Sequence, residues 1–187
     1  MSFCKKWLLL SIGLICINYL KAQEIKKVEM ASNHSMHVLG NDFEGVIFST
    51  DYHFKIAPQE LDTLNQRFTP DTSQIIQAEK QMRQTIESVE KKIKKSTKGP
   101  EIHDNLNNYL RQYFGYLNKK QEKIIFVNCI WKKDIERMEK EKAVLPQFSI
   151  PDWMSEFYTI SNGGSYYWSV KINLTTHQLF DLGIKGV

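Results

Sequence analysis

The sequence predicts an α+β domain, with one long amphipathic helix and a shorter helix packed on a C-terminal antiparallel sheet made of a hairpin and a meander. Three observations carry this reading. Apolar side chains recur at spacings of three and four from Ile75 to Ile93, the period changes to two beyond Tyr113, and turn-forming residues divide the later chain into short runs.

The chain opens on Lys5 and Lys6, an apolar run from Trp7 to Ile17, and the more polar Asn18-Tyr19-Leu20-Lys21-Ala22-Gln23. A basic start, a short apolar middle and a small residue before a polar one form the layout of a secretory signal peptide. Residues 1–22 are therefore expected to be cleaved, leaving residues 23–187 as a single exported domain, periplasmic or secreted. A retained anchor is the alternative, and Leu20 is bulkier than the residue usual at its position before a cut. Against it, a membrane span needs about 20 apolar residues, and this run ends sooner, at Lys21. No stable membrane span is expected after cleavage. Cys16 does not suit a lipidation signal, because Ile15 before it is not small.

Loss of Lys5, Lys6 and Lys21 leaves 22 basic residues against 21 acidic ones. The domain is close to neutral and lacks the clustered positive face that a nucleic-acid partner would require. Cys4 and Cys16 leave with the signal, so Cys129 stands alone and no intramolecular disulfide can form. A hydrophobic core must hold the fold, and a chain of about 150 residues can bury roughly 70% of its unfolded surface.

Within the domain, residues 23–42 are polar without sustained period and are expected to be loosely ordered. Gly45-Val46-Ile47-Phe48-Ser49 reads as a first strand, and residues 51–68 fit neither period. Thr69-Pro70-Asp71 then offers a helix cap with a proline suited to a first helical position, and Gln74 is placed to complete a capping box with Asp71. Ile75, Ala78, Met82, Ile86, Val89 and Ile93 form one buried stripe. The opposite face carries mixed charges, with lysines gathered at the carboxyl end where they complement the helix dipole. Ser96-Thr97-Lys98-Gly99-Pro100 ends this helix, and Ile102, Leu106, Tyr109, Leu110 and Tyr113 suggest a second.

Period two begins at Tyr113-Phe114-Gly115-Tyr116-Leu117, followed by the turn Asn118-Lys119-Lys120-Gln121 and a returning strand over residues 123–131. Both faces of that strand are apolar, which predicts a central position in the sheet. Residues 132–142 are heavily charged and read as a surface helix turn or loop. A meander follows, with strands over 153–160, 165–174 and 177–184. The turns between them are Ser161-Asn162-Gly163-Gly164 and Thr175-Thr176. In its middle strand Tyr166, Trp168, Val170, Ile172 and Leu174 form a buried face. Tyr167, Ser169, Lys171 and Asn173 form a wet one.

At Arg67-Phe68-Thr69-Pro70, Arg111-Gln112-Tyr113-Phe114-Gly115-Tyr116 and Gly163-Gly164-Ser165-Tyr166-Tyr167-Trp168-Ser169-Val170-Lys171 the chain resembles a group of small uncharacterised secreted proteins of Bacteroidota. That resemblance implies origin and export. The group has no assigned activity to carry over.

Several constellations bear on function. Cys129 could act as a nucleophile with His103 or His177, but it lies in an apolar strand where a free cysteine behaves as a small hydrophobe. His34 and His37, with His53 or an acid, fall short of the ligand set and helical spacing of a zinc site. His103-Asp104 adjoin in sequence, which does not aim them at each other. No metal, cofactor or phosphate loop is called for. The sheet half is rich in aromatics, and Tyr167, on the polar face of its strand, is the candidate exposed ring for binding. The expected function is a non-catalytic binding module that contacts a protein or glycan of the cell envelope through its sheet. The alternative is a cell-envelope hydrolase using scattered histidine, cysteine and acidic residues.

Overall fold

The computed structural model describes residues 23–54, 66–93, 98–144 and 152–186. Residues 1–22, expected from the sequence to be a signal peptide, and Pro58, Lys94, Lys95, Pro146 and Pro151 lie outside them. The fold is α+β. Eight strands, β1 (Ile25–Ser32), β2 (Ser35–Gly40), β3 (Glu44–Phe48), β4 (Arg67–Phe68), β5 (Tyr109–Leu117), β6 (Lys123–Trp131), β7 (Gly164–Asn173) and β8 (Gln178–Lys185), make one sheet. Its order is β1-β2-β3-β5-β6-β7-β8, with the short β4 beside β5. All pairs are antiparallel except β3 with β5. Helices α1 (Thr72–Glu90) and α2 (Lys132–Val144) and a 3-10 helix (His103–Asn108) complete the described chain. No helix among the described residues is long and apolar enough to cross a membrane.

Local chemistry accounts for the elements that were expected. Asp71 caps α1 by accepting from the Gln74 amide at 2.9 Å while the Gln74 side chain accepts from the Asp71 amide at 3.1 Å. The helix begins at Thr72, so Pro70 precedes the cap rather than occupying the first turn. Ile75, Ala78, Met82 and Ile86 are buried at 0% exposure, as the stripe requires. β6 lies in the interior of the sheet between β5 and β7, with Ile125, Val127 and Cys129 in the core beneath α1 and Ile124, Phe126 and Ile130 in a second core on the other face.

Other expectations change. Residues 23–42 hold a β-hairpin, turning at Asn33-His34. β1 is an edge strand whose side chains are largely exposed on both faces, so no period of two marks it. The second helix is only the 3-10 turn, and Tyr109 and Leu110 already belong to β5. Helical spacing there arose by coincidence, from a strand with apolar residues on both of its faces. The charged segment from Lys132 is a 13-residue helix. The sheet is therefore not confined to the C-terminal half.

The largest departure concerns the meander. Residues 152–163 form turns and irregular chain instead of a strand. Buried amides hold them on the sheet. Gln112 Nε2 donates to the carbonyls of Trp153 and Glu156, each at 2.7 Å. Its Oε1 accepts from the Tyr158 amide at 3.0 Å and from Asn128 Nδ2 at 2.9 Å, and Asn128 also donates to the Tyr158 carbonyl at 2.7 Å. These side chains supply the backbone partners that a strand ladder would have given. Gly163-Gly164 accordingly joins irregular chain to β7 and closes no hairpin.

Candidate functional site

Tyr167 does not present an exposed ring, contrary to the sequence expectation. It is 7% exposed. Period two places it opposite Trp168 as expected, but side chains of α2 and residues 152–163 pack over it; Ser169 and Asn173 are buried as well, Asn173 donating to Glu122 at 2.9 Å. The Tyr167 ring lies 6.3 Å from that of Tyr158 in a nearly parallel stack, 17° between planes. Its hydroxyl donates to Asp134 Oδ2 at 2.8 Å. Asp134 sits in the first turn of α2, where a carboxylate also complements the helix dipole. Burial, and then the Asp134 hydrogen bond and charge, push the Tyr167 phenol well above its ordinary range.

What remains open is a cleft beside this ring. Its volume is about 530 Å³, within the span of small-molecule sites. Tyr166, Tyr167, Ile160 and Asn162 contribute to its walls, and among the described residues Lys98, Arg137 and Lys185 bring three cations against the side-chain carboxylate of Asp134. Asp134 is already engaged by Tyr167 and, at 3.4 Å, by Arg137. Two glycines shape the cleft. Gly164 has φ +59° and lies so close to the Lys98 carbonyl that a Cβ would sit 1.8 Å from its oxygen. At Gly163 a Cβ would stand 2.3 Å from the Tyr167 ring. The Ser165 amide donates to the same Lys98 carbonyl at 2.8 Å, anchoring the loop before the 3-10 helix to the start of β7.

The histidines are dispersed. His37 Nδ1 and Nε2 lie 3.3 Å from Glu29 and 3.2 Å from Glu44, on the strands to either side of its own. Glu44 in turn takes Lys132 Nζ at 2.6 Å beside a smaller hollow of about 210 Å³. Burial works against the Glu44 charge, but the Lys132 and His37 hydrogen bonds outweigh it and hold the carboxyl below its ordinary range. His34 is exposed in the β1–β2 turn. His177, in the β7–β8 turn, contacts the Gln77 side chain at 3.2 Å. His103 donates to Glu90, while its other ring nitrogen is 3.5 Å from Asp104. Cys129 is buried, and burial drives its thiol far up; the charges that act on it are those of Arg111 and Glu79.

Comparison with protein-family models, curated proteins and solved structures finds no match for the chain. The site must therefore be interpreted from its own chemistry.

Among the described residues, one group of three has metal-ligand geometry: Glu90, Glu101 and His103. The Glu90 carboxylate is already committed to capping the 3-10 helix. Its Oε1 accepts from the Ile102 amide at 2.6 Å, and its Oε2 accepts from the His103 amide at 3.0 Å and from His103 Nδ1 at 2.8 Å. Sequence reasoning missed the cations of the cleft. Lys98, Arg137 and Lys185 come from three separate segments, and no local spacing relates them.

Proposed function

We propose that the protein is an exported, non-catalytic binding module, akin in origin to the small uncharacterised secreted proteins of Bacteroidota that it resembles, and that its cleft takes an acidic glycan of the cell envelope. The observation that carries this reading is the cleft itself, where Lys98, Arg137 and Lys185 surround a wall with two tyrosines and, among the described residues, one side-chain carboxylate. Cations of this kind pair with ligand carboxylates, and the partly exposed Tyr166 offers an apolar surface for a sugar ring. The described lining contains no histidine, cysteine or serine, so the nucleophile and base of a hydrolase are not assembled there. Export rests on the layout of residues 1–22.

Calorimetric titration with a uronic-acid oligosaccharide and with its neutral counterpart tests the proposal. The acidic sugar is expected to bind at least tenfold more tightly, and Arg137→Ala with Lys185→Ala to abolish that preference. Equal affinity for the two sugars, or binding of neither, would overturn it.

A further inference from the structure

We infer that the outer edge of β1 pairs antiparallel with β1 of a second copy of this chain, about a two-fold axis midway between the Val28 residues of the two copies. Among the described residues β1 is bonded on one side only, to β2. Residues 26–30 are all exposed. The apolar surface of the molecule gathers here: of the four exposed large apolar side chains among the described residues, Val28, Met30 and Leu39 belong to the β1–β2 hairpin. Met30 is 74% exposed and Val28 43%. An open edge with its own unpaired backbone groups and an apolar row is a template for another strand.

The charges select the occupant and the register. Val28 and Met30 point to one face, while Lys27 and Glu29 point to the other, where they pair within the strand at 2.7 Å. In an antiparallel pair centred on Val28, Lys27 stands opposite the partner's Glu29 and Glu29 opposite the partner's Lys27. Val28 meets the partner's Val28. A slip of two residues either way, which moves the axis by one residue, sets Lys27 on Lys27 or Glu29 on Glu29. The lysines that would ordinarily repel a foreign strand are thus matched by this one, and the interface is isologous and closes as a dimer.

The regular ladder of β1 is short. Register irregularities flank it between Ile25 and Lys27 and between Met30 and Ser32. Bulges twist an edge away and limit how far pairing can extend, so the association is expected to be weak, in the micromolar range. Four strands, β2, β3, β5 and β6, separate β1 from β7 and its cleft. The dimer would therefore leave both clefts open and present them as a pair, with the avidity that linkage confers. The inference does not rest on the ligand assigned to the cleft.

Sedimentation velocity from about 5 to 500 µM at low salt tests it, since exposed charge pairs are screened by salt. The wild type should move from monomer to dimer across that range. Lys27→Glu and Glu29→Lys should each weaken association at least tenfold, and the doubly exchanged protein should recover it, because the pairing is restored with the signs reversed. Both positions are exposed, and far-UV circular dichroism should be unchanged in all three variants. A wild type that stays monomeric throughout would overturn the inference. So would single variants that associate like the wild type, or an exchanged pair that fails to recover.

Discussion

Arg111 and Glu79 offer the sharpest test of how the core is built. Glu79 lies on the buried face of α1 and Arg111 in β5, and both side chains are wholly inaccessible, with Arg111 Nε 2.8 Å from Glu79 Oε1 though off its hydrogen-bond direction. The guanidinium also donates to the Tyr109 carbonyl at 2.7 Å and the Leu106 carbonyl at 2.9 Å, and the Tyr113 hydroxyl donates to Glu79 at 2.8 Å. Desolvation disfavours the Arg111 charge, and Glu79 more than offsets it, holding the guanidinium above its ordinary pKa. Removing one member of such a pair leaves the other as an uncompensated buried charge, at about 3–5 kcal/mol. That is a large part of the roughly 5–15 kcal/mol that holds a domain folded. Glu79→Leu and Arg111→Met should each incur this cost. The double variant loses both charges and retains only the penalty of the stranded Tyr113 hydroxyl and the two carbonyls, about 1–3 kcal/mol per group. Urea denaturation of the four proteins, followed by tryptophan fluorescence, yields the cycle. A coupling of about 3 kcal/mol is expected. Additivity within about 0.5 kcal/mol would mean that the two charges do not sense each other and that the account is wrong.

Four further outcomes follow. Trp168→Ala should cost about 3–5 kcal/mol because the indole is wholly buried. Tyr167→Phe should lose about 1.5–3 kcal/mol with the hydroxyl that donates to Asp134; a Tyr167→Phe protein as stable as wild type in urea would show that this face of β7 is wet after all. Cys129 should react with a thiol reagent slowly in the native protein and quickly in urea, and rapid native labelling would contradict its burial. The Glu90 hydrogen bond raises the pKa of His103, against some desolvation and with help from Asp104. The stabilisation from protonated His103 is then fully present below its unfolded value near 6.5 and fades as pH rises through the raised folded value. Unfolding midpoints of wild type and His103→Gln should accordingly converge on going from about pH 6 to pH 9, and a gap independent of pH would refute the linkage.

How much was legible in the chain depended on how local the determining interactions are. The capping box of Asp71 and Gln74 spans one helical turn and was readable, as was the stripe from Ile75 to Ile86. The strand of residues 123–131 declared both its limits and its central place, since apolar residues on both faces leave it no exposed side. The hairpin at β1 and β2 was not readable, because an edge strand exposed on both faces satisfies no apolar period. Helix α2 was missed as a full helix because Ile135 is its one buried side chain.

By itself the sequence determined the alternation of β7, which sets Trp168 and Tyr167 on opposite faces, and the amphipathic α1 that covers the first of them. Only the tertiary structure decided whether the second face meets water. That depends on Gln112 and Asn128 drawing residues 152–163 onto the sheet and on α2 closing over Asp134. The same long-range closure brings Lys98, Arg137 and Lys185 to one cleft. Periodicity records which side of a strand a residue takes, whereas coverage is settled by partners 30 to 46 residues away in the chain, whose hydrogen bonds leave no periodic mark in the sequence.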